Sequence, residues 1–127
     1  MKLLLDTHIL LWALSEPERV PTQARSMLSN DSNQLYFSVA SIWETAIKAS
    51  RHSNFNVNPI LLRETLLGNS YEEWKISSQH AITAANLPSI HKDPFDRILI
   101  AQAIVERALF ITADRLLATY PAQIHLL

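Results

Sequence analysis

The chain has 127 residues, 48% of them hydrophobic, with 11 basic and 12 acidic residues and a net charge of −1. This length suffices for one hydrophobic core, so we expect a single domain over residues 1–127, and the near-neutral charge excludes a general positive field that attracts nucleic acid. The chain has no cysteine and no apolar run of roughly 20 residues, which excludes disulfide frameworks, thiolate zinc sites and membrane spans and predicts a soluble, cytoplasmic protein.

Short apolar runs alternate with longer segments of helical period, which predicts a parallel sheet covered by helices. The first run, residues 2–6, is uniformly apolar and is predicted as a central buried strand, followed by a helix over residues 8–14. A short helix after Pro21 and a strand over residues 34–38 follow. Apolar spacings of three and four then predict a helix over residues 39–51. The stripe expected in the core consists of Val39, Ile42, Trp43, Ala46 and Ile47.

The middle of the chain is punctuated by proline and glycine. Residues 50–58 are polar and predict a loop, after which Pro59 is expected to open a helix that Gly68 closes in a left-handed cap. Because Gly68 is the only glycine, glycine-rich phosphate-binding loops are excluded, and with them ATPase and nicotinamide-dependent functions. Residues 74–76 are a strand candidate, followed by a helix over residues 78–86.

The last third contains the longest predicted helix. Asp93 and Pro94 predict its N-cap and first turn, and the helix should continue to Ala108. Strands over residues 109–112 and 123–127 are predicted to follow. The residues of the helix expected to face inward are Phe95, Ile98, Leu99 and Ala103.

Acidic residues follow the predicted strands. Asp6 ends the first strand, Glu44 lies in the helix after the second, and Asp114 follows the strand over residues 109–112. Ligands of open parallel sheets bind beyond the carboxyl ends of the strands, so these acids should converge there, and Asp96 could face the same crevice. Their mutual repulsion calls for a hard cation, Mg²⁺ or Mn²⁺, which would suit phosphodiester hydrolysis by an activated water.

Polar neighbours of these acids are candidates for supporting roles. The hydroxyls of Thr7 and Thr112 could orient a water or a phosphate oxygen. Four basic side chains could contact phosphate, on proximity alone, namely Lys48, Arg51, Arg97 and Arg115.

Each acid also has a structural interpretation. Glu44 fits a capping box with Ser41 and a helix ion pair with Lys48 that contributes about 0.3–0.5 kcal/mol. An aspartate before a helix or in its first turn stabilises the positive helix end, and one after a strand is a common turn residue. We assign no metal role to the five histidines, His8, His52, His80, His91 and His125. We expect Trp12, Trp43 and Trp74 to pack in the core rather than stack on bases.

Nearly the whole chain resembles PIN-domain proteins, and among them the VapC-like toxins of bacterial type II toxin–antitoxin pairs. Four segments carry the resemblance, in order and with matching spacing: LLLDTHILLWAL, SIWETAIK, HKDPFDRILIAQA and LFITAD. The resemblance implies a three-layer α/β/α fold with a parallel sheet of strand order 3-2-1-4-5. It also implies a ribonuclease site that depends on Mg²⁺ or Mn²⁺.

The resemblance further implies which residues act and with which partners. The catalytic metal ligands would be Asp6, Glu44, Asp96 and Asp114. Asp93 is an extra acid of the DPFDR variant, and His8 stands where the family often has asparagine, so no role is carried over to it. Such toxins form homodimers and are silenced by an antitoxin whose tail fills the acidic crevice.

Other functions were compared with this one. A PIN ribonuclease that processes RNA without being a toxin, and a PIN fold that only binds RNA or protein, both remain open. A signalling receiver domain needs an aspartate ending the third strand and a lysine ending the last, and the sequence has neither. A haloacid-dehalogenase-type phosphatase needs an aspartate where this chain has His8.

Overall fold

A computed structural model describes residues 1–51 and 57–127 of the chain. Five strands pair in parallel in one sheet, in the order β3-β2-β1-β4-β5, which confirms the order expected from the sequence. The strands are β1 (Lys2–Leu5), β2 (Gln34–Ser38), β3 (Tyr71–Trp74), β4 (Leu109–Thr112) and β5 (Ile124–Leu126).

Helices connect successive strands of the sheet. They are α1 (Thr7–Ser15), α2 (Thr22–Ser29), α3 (Val39–Arg51), α4 (Pro59–Gly68), α5 (Ser78–Ala85) and α6 (Pro94–Glu106), with 3₁₀ turns at Pro17–Arg19 and Leu117–Thr119. No helix within residues 1–51 and 57–127 is long and apolar enough to cross a membrane. The part of the predicted loop at residues 52–56, including His52, lies outside the described residues.

Two hydrophobic clusters lie on opposite faces of the sheet and make the fold a three-layer α/β/α sandwich. On one face Leu4 and Phe110 pack with Leu99 of α6. On the other face, Leu3 and Leu5 pack with side chains of α1 and α4. All three leucines of β1 are fully buried, as expected for a central strand of a parallel sheet, whose two faces are both covered. Burial on both faces fixes the position of the residue that follows, Asp6.

The face that α3 buries differs from the prediction. The helix buries Ala40, Ser41, Glu44 and Thr45, whereas Trp43 is 62% exposed and meets the ring of Phe95 edge-on at 5.1 Å. The expectation that Trp43 belongs to the core is therefore wrong. The helix follows β2 without a loop, so the direction of the strand sets which side of α3 meets the sheet. In α6, Leu99 and Ala103 are buried as predicted, but Phe95 and Ile98 are only half-buried.

The connection from α4 to β3 also differs from the prediction. Gly68 is the last helical residue, and the left-handed residue is Ser70, with φ of 67°. The chain therefore turns at Ser70 and enters β3 at Tyr71, three residues before the predicted strand. The prediction of a left-handed cap at Gly68 was wrong because glycine is only the most frequent residue in that conformation.

Replacing Gly68 with alanine should stabilise the protein by about 0.5–1 kcal/mol, because alanine loses less backbone entropy on folding. A Cβ at this position would meet no atom within 4 Å, and its backbone is not left-handed. Urea unfolding followed by circular dichroism measures the change. Ser70→Ala, which keeps a Cβ at the left-handed position, is the control and should gain nothing. A destabilised Gly68→Ala protein would mean that Gly68 needs the freedom of glycine.

Candidate active site

Asp6 follows the central strand and is only 5% exposed. It is the N-cap of α1: its Oδ1 accepts a hydrogen bond from the backbone N–H of Thr7 at 2.8 Å. Its Oδ2 accepts one from the hydroxyl of Thr112 at 2.7 Å. Burial raises the pKa of Asp6, while these two hydrogen bonds oppose the rise. The carboxylate is thus fixed in place between β1, α1 and β4.

Glu44 lies on the buried side of α3. Its Oε2 is 3.5 Å from Nζ of Lys48, which is the predicted helix pair. The capping box with Ser41 does not form, because Ser41 is a residue within α3 and not its N-cap. Its hydroxyl shares a hydrogen bond of 2.8 Å with the hydroxyl of Thr7. Oε1 of Glu44 is buried and has no hydrogen-bond partner among the described residues. A buried carboxylate oxygen without a donor is unfavourable unless a cation reaches it.

Asp96 lies in the first turn of α6. Asp93 caps that helix as predicted, accepting from the backbone N–H of Phe95 at 2.9 Å. The pKa of Asp96 is raised from 3.8 to about 8, firstly by burial and then by the negative charges of Asp6, Asp93, Glu44 and Asp114. The raised pKa favours the protonated, uncharged form of Asp96 in the metal-free protein.

Asp114 follows β4 and forms a turn with the residues around it. Its backbone N–H donates to the Thr112 hydroxyl at 3.1 Å, and its Oδ1 accepts from the backbone N–H of Leu116 at 2.9 Å. Its Oδ2 lies 3.5 Å from Nε2 of His91. Asp114 thus has the turn role foreseen as its structural alternative, while one of its oxygens faces the other acids.

The acids share one crevice of about 350 Å³ beyond the carboxyl ends of β1 and β4. It is lined by Asp6, His8, Trp12, Glu44, Lys48, Asp93, Asp96, Ala113 and Asp114. Carboxylate oxygens are the ligands that Mg²⁺ and Mn²⁺ prefer, so this donor set fits a hard divalent cation. The unpartnered oxygen of Glu44 and the raised pKa of Asp96 are the two observations that a cation would account for.

Two of the predicted phosphate contacts lie elsewhere. The guanidinium of Arg97 donates to the backbone carbonyls of Ala84, Leu87 and Pro88 at 2.7, 3.2 and 2.9 Å, and within residues 1–51 and 57–127 Arg97 is not among those that line the crevice. Arg115 is exposed and is not among the described residues that line the crevice. Lys48 lines the crevice, and Arg51 lies in an adjoining groove that shares Glu44 and Asp93 with it.

The sequence analysis missed His91. Its Nε2 lies 3.5 Å from Oδ2 of Asp96 and 3.5 Å from Oδ2 of Asp114. One side-chain atom of each of these three residues lies within 4.8 Å of the others, so they form a geometric candidate for holding a cation. Its approach to Asp96 and Asp114 depends on the orientation of its ring, which residue spacing in the sequence does not reveal.

Comparisons with known proteins identify the family of the chain. The model of the PIN domain family matches residues 3–122. Ribonuclease VapC22 of Mycobacterium tuberculosis is 30% identical to the chain over 118 residues, which is 92% of this chain and 90% of that protein.

Solved structures have the same fold. The chain is similar to a chain in VapBC2 from Rickettsia felis bound to a promoter DNA fragment, with a TM-score of 0.76, 16% identity and coverage of 99% and 98% of the two chains. It is also similar to a chain in DNA-bound VapBC from Salmonella typhimurium, with a TM-score of 0.72, 18% identity and coverage of 98% and 97%. The family match over almost all of the chain, together with the relative at 30% identity, shows that this protein belongs to the PIN-domain family.

Proposed function

We propose that this protein is a metal-dependent endoribonuclease and the toxin of a type II toxin–antitoxin pair of the VapBC kind. The observation that carries the nuclease proposal is the convergence of Asp6, Glu44, Asp96 and Asp114 on one crevice, with a buried oxygen of Glu44 left unpartnered. The similarity to a VapC ribonuclease, and to chains of VapBC complexes, supports the toxin proposal.

The contacts of each acid determine how it would take part in binding a cation. Asp6 is held rigidly by Thr7 and Thr112, so it offers a fixed carboxylate edge to the crevice. Glu44 would offer its unpartnered oxygen to the cation, and Asp96 would hold the cation in its ionised form. A bound Mg²⁺ or Mn²⁺ would lower the pKa of the attacking water and neutralise charge on the scissile phosphate. Lys48, at the rim of the crevice, would pair with a neighbouring phosphate of the RNA.

Asp6→Asn and Glu44→Gln should each lower RNA cleavage by more than about a hundredfold, since a direct ligand should matter more than the residues that orient it. Neither change alters the shape of the side chain, so the circular dichroism spectrum should stay that of the unmodified protein. Cleavage of single-stranded and structured RNA is measured with Mn²⁺ and with a chelator. Glu72→Gln, an exposed acid on β3, is the matched control and should keep full activity.

Equal cleavage by Asp6→Asn and the unmodified protein would reject the site, or reveal a contaminating nuclease if the chelator has no effect. Metal-dependent binding of RNA without cleavage would favour the alternative in which the fold only binds RNA.

The stability of the metal-free protein should depend on pH through Asp96. Its pKa in the folded protein, about 8, lies above the ordinary aspartate value of 3.8, so the folded state binds this proton more tightly than the unfolded chain does. This stability is complete below pH 4 and is lost as the pH rises towards 8. Between pH 5 and 8 the free energy of unfolding should fall by at least about 1 kcal/mol. A difference of less than one unit between the folded and unfolded pKa of Asp96 is enough to produce this change.

Thermal unfolding in a chelator at pH 5 and pH 8 measures this loss. Asp96→Asn removes the titrating group and should flatten the dependence on pH. Added Mg²⁺ should stabilise the unmodified protein more at pH 8 than at pH 5, because the cation takes the place of the proton. Parallel pH profiles for the variant and the unmodified protein would contradict the raised pKa.

We propose two protein partners, an antitoxin and a second copy of the chain, in the cytoplasm. Exposed apolar side chains are available for such contacts, among them Trp43, Ile60, Leu61 and Ile82, which are more than 60% exposed. Light scattering of the purified chain should give the mass of a dimer. The product of a small neighbouring gene for a DNA-binding protein should co-purify with the chain and inhibit RNA cleavage. A monomer at all concentrations, or a neighbour that leaves cleavage unchanged, would reject the corresponding partner.

A further inference from the structure

His91 has two possible relations to the acids of the crevice. Its Nε2 lies 3.5 Å from one oxygen of Asp96 and 3.5 Å from one oxygen of Asp114, with the imidazole 22% exposed. If Nε2 carries a lone pair, His91 is a metal ligand beside the two aspartates. If Nε2 carries hydrogen, His91 is a donor to those aspartates. The other ring nitrogen distinguishes the two cases, because neutral imidazole has one donor and one acceptor nitrogen.

Nδ1 of His91 accepts a hydrogen bond from the backbone N–H of Asp93 at 3.0 Å. A backbone N–H is always a donor, so Nδ1 must present a lone pair. Hydrogen on Nδ1 would set two N–H groups against each other at this distance. The hydrogen of the neutral imidazole therefore lies on Nε2, between Asp96 and Asp114.

The backbone of the segment that carries the ring is fixed at several points, and the hydrogen bond to Nδ1 favours one of the two orientations of the ring. The backbone N–H of His91 donates to the hydroxyl of Tyr120 at 2.8 Å. The guanidinium of Arg97 donates to Ala84 O at 2.7 Å and to Pro88 O at 2.9 Å, and also lies 3.5 Å from the carbonyl of His91. A turned ring would place a C–H group against the N–H of Asp93 and lose the hydrogen bond to Nδ1.

We propose that His91 is a positioning residue, which holds the carboxylates of Asp96 and Asp114 through a shared Nε2–H, and that it is not a metal ligand. The distance of 3.5 Å to each oxygen is longer than an ordinary hydrogen bond, so the Nε2–H faces both carboxyl groups at equal distance as a weak polar contact. Each carboxylate oxygen has two lone pairs, so an oxygen that faces His91 can still bind a cation. Hydrogen bonds of this kind orient carboxylate ligands in metal sites. The role of His91 rests on the proposed metal-dependent function of the crevice.

The first test is the tautomer of His91, measured at pH 7.5 by long-range ¹H–¹⁵N correlation on the metal-free protein. The spectrum of His91→Gln identifies the signals of His91 among those of the other histidines. We expect Nδ1 to have the shift of an acceptor nitrogen, Nε2 that of a nitrogen carrying hydrogen, and both to keep this character after addition of Mg²⁺. Hydrogen on Nδ1, or loss of hydrogen from Nε2 on Mg²⁺ binding, would overturn the proposal.

The second test separates the donor from the rest of the ring. His91→Asn keeps an acceptor near the N–H of Asp93 but removes the donor, whereas His91→Gln retains an N–H donor near the position of Nε2. We expect Mn²⁺ affinity, measured by electron paramagnetic resonance without RNA, to fall about tenfold or more in His91→Asn and to be largely restored in His91→Gln. Unchanged affinity in His91→Asn, or equal losses in both variants, would overturn the role of the donor.

Neither test uses RNA cleavage, so the outcome for His91 is separate from that for the nuclease. Failure of the proposed function would appear as absent cleavage in a protein whose tautomer and Mn²⁺ affinities follow the expected pattern. Failure of the role of His91 would appear as a different tautomer or pattern of affinities in a protein that cleaves RNA.

Discussion

The structure depends on one buried carboxylate at the end of the central strand. Oδ1 of Asp6 accepts a hydrogen bond from the backbone N–H of Thr7, the first residue of α1. Its Oδ2 accepts one from the hydroxyl of Thr112, the last residue of β4. Burying an ionised group is unfavourable unless it is hydrogen-bonded. These two donors therefore allow an acid to be buried where β1, α1 and β4 meet. The same two bonds that join the elements set the direction of the carboxylate. In this position, the fold and the candidate active site share one interaction.

The other acids of the crevice differ from Asp6, because their negative charges are not fully matched by hydrogen-bond donors or basic side chains in the part of the chain that the structure describes. Lys48 pairs with one oxygen of Glu44, while the other has no partner among the described residues, and burial followed by the charges of four acids raises the pKa of Asp96. A helix that buried its apolar side would be more stable, yet α3 turns Trp43 to solvent and its glutamate inward. A buried carboxylate oxygen without a donor is a place where a cation would be favoured.

The sequence predicted the strands around the crevice well because they are short, uniformly apolar and followed by acids. It also predicted that these acids converge, since parallel strands end at one edge of the sheet, and the resemblance to PIN-domain proteins implied that the strands concerned are neighbours. It did not predict which side α3 buries, because that is set by its direct junction with β2. The left-handed residue between α4 and β3 was predicted to be Gly68, whereas it is Ser70. The prediction used only the preference of glycine for this backbone conformation, which other residues can also adopt. The contacts of Arg97 and His91 were missed because they join segments distant in sequence or depend on a ring orientation that no spacing reveals.

Asp96 and Arg97 are adjacent in α6 but serve opposite purposes. One residue turns a helix by about 100°, so the aspartate faces the crevice while the arginine fastens the preceding segment behind it. His91 and Asp93 are joined by a hydrogen bond across two residues within that segment. Adding or deleting a residue between His91 and Asp96 would separate His91 from Asp93 or turn Asp96 away from the crevice. Replacing one side chain in this stretch need not do either. Over evolutionary time, the length of this stretch should therefore be more strictly inherited than many of its individual amino acids.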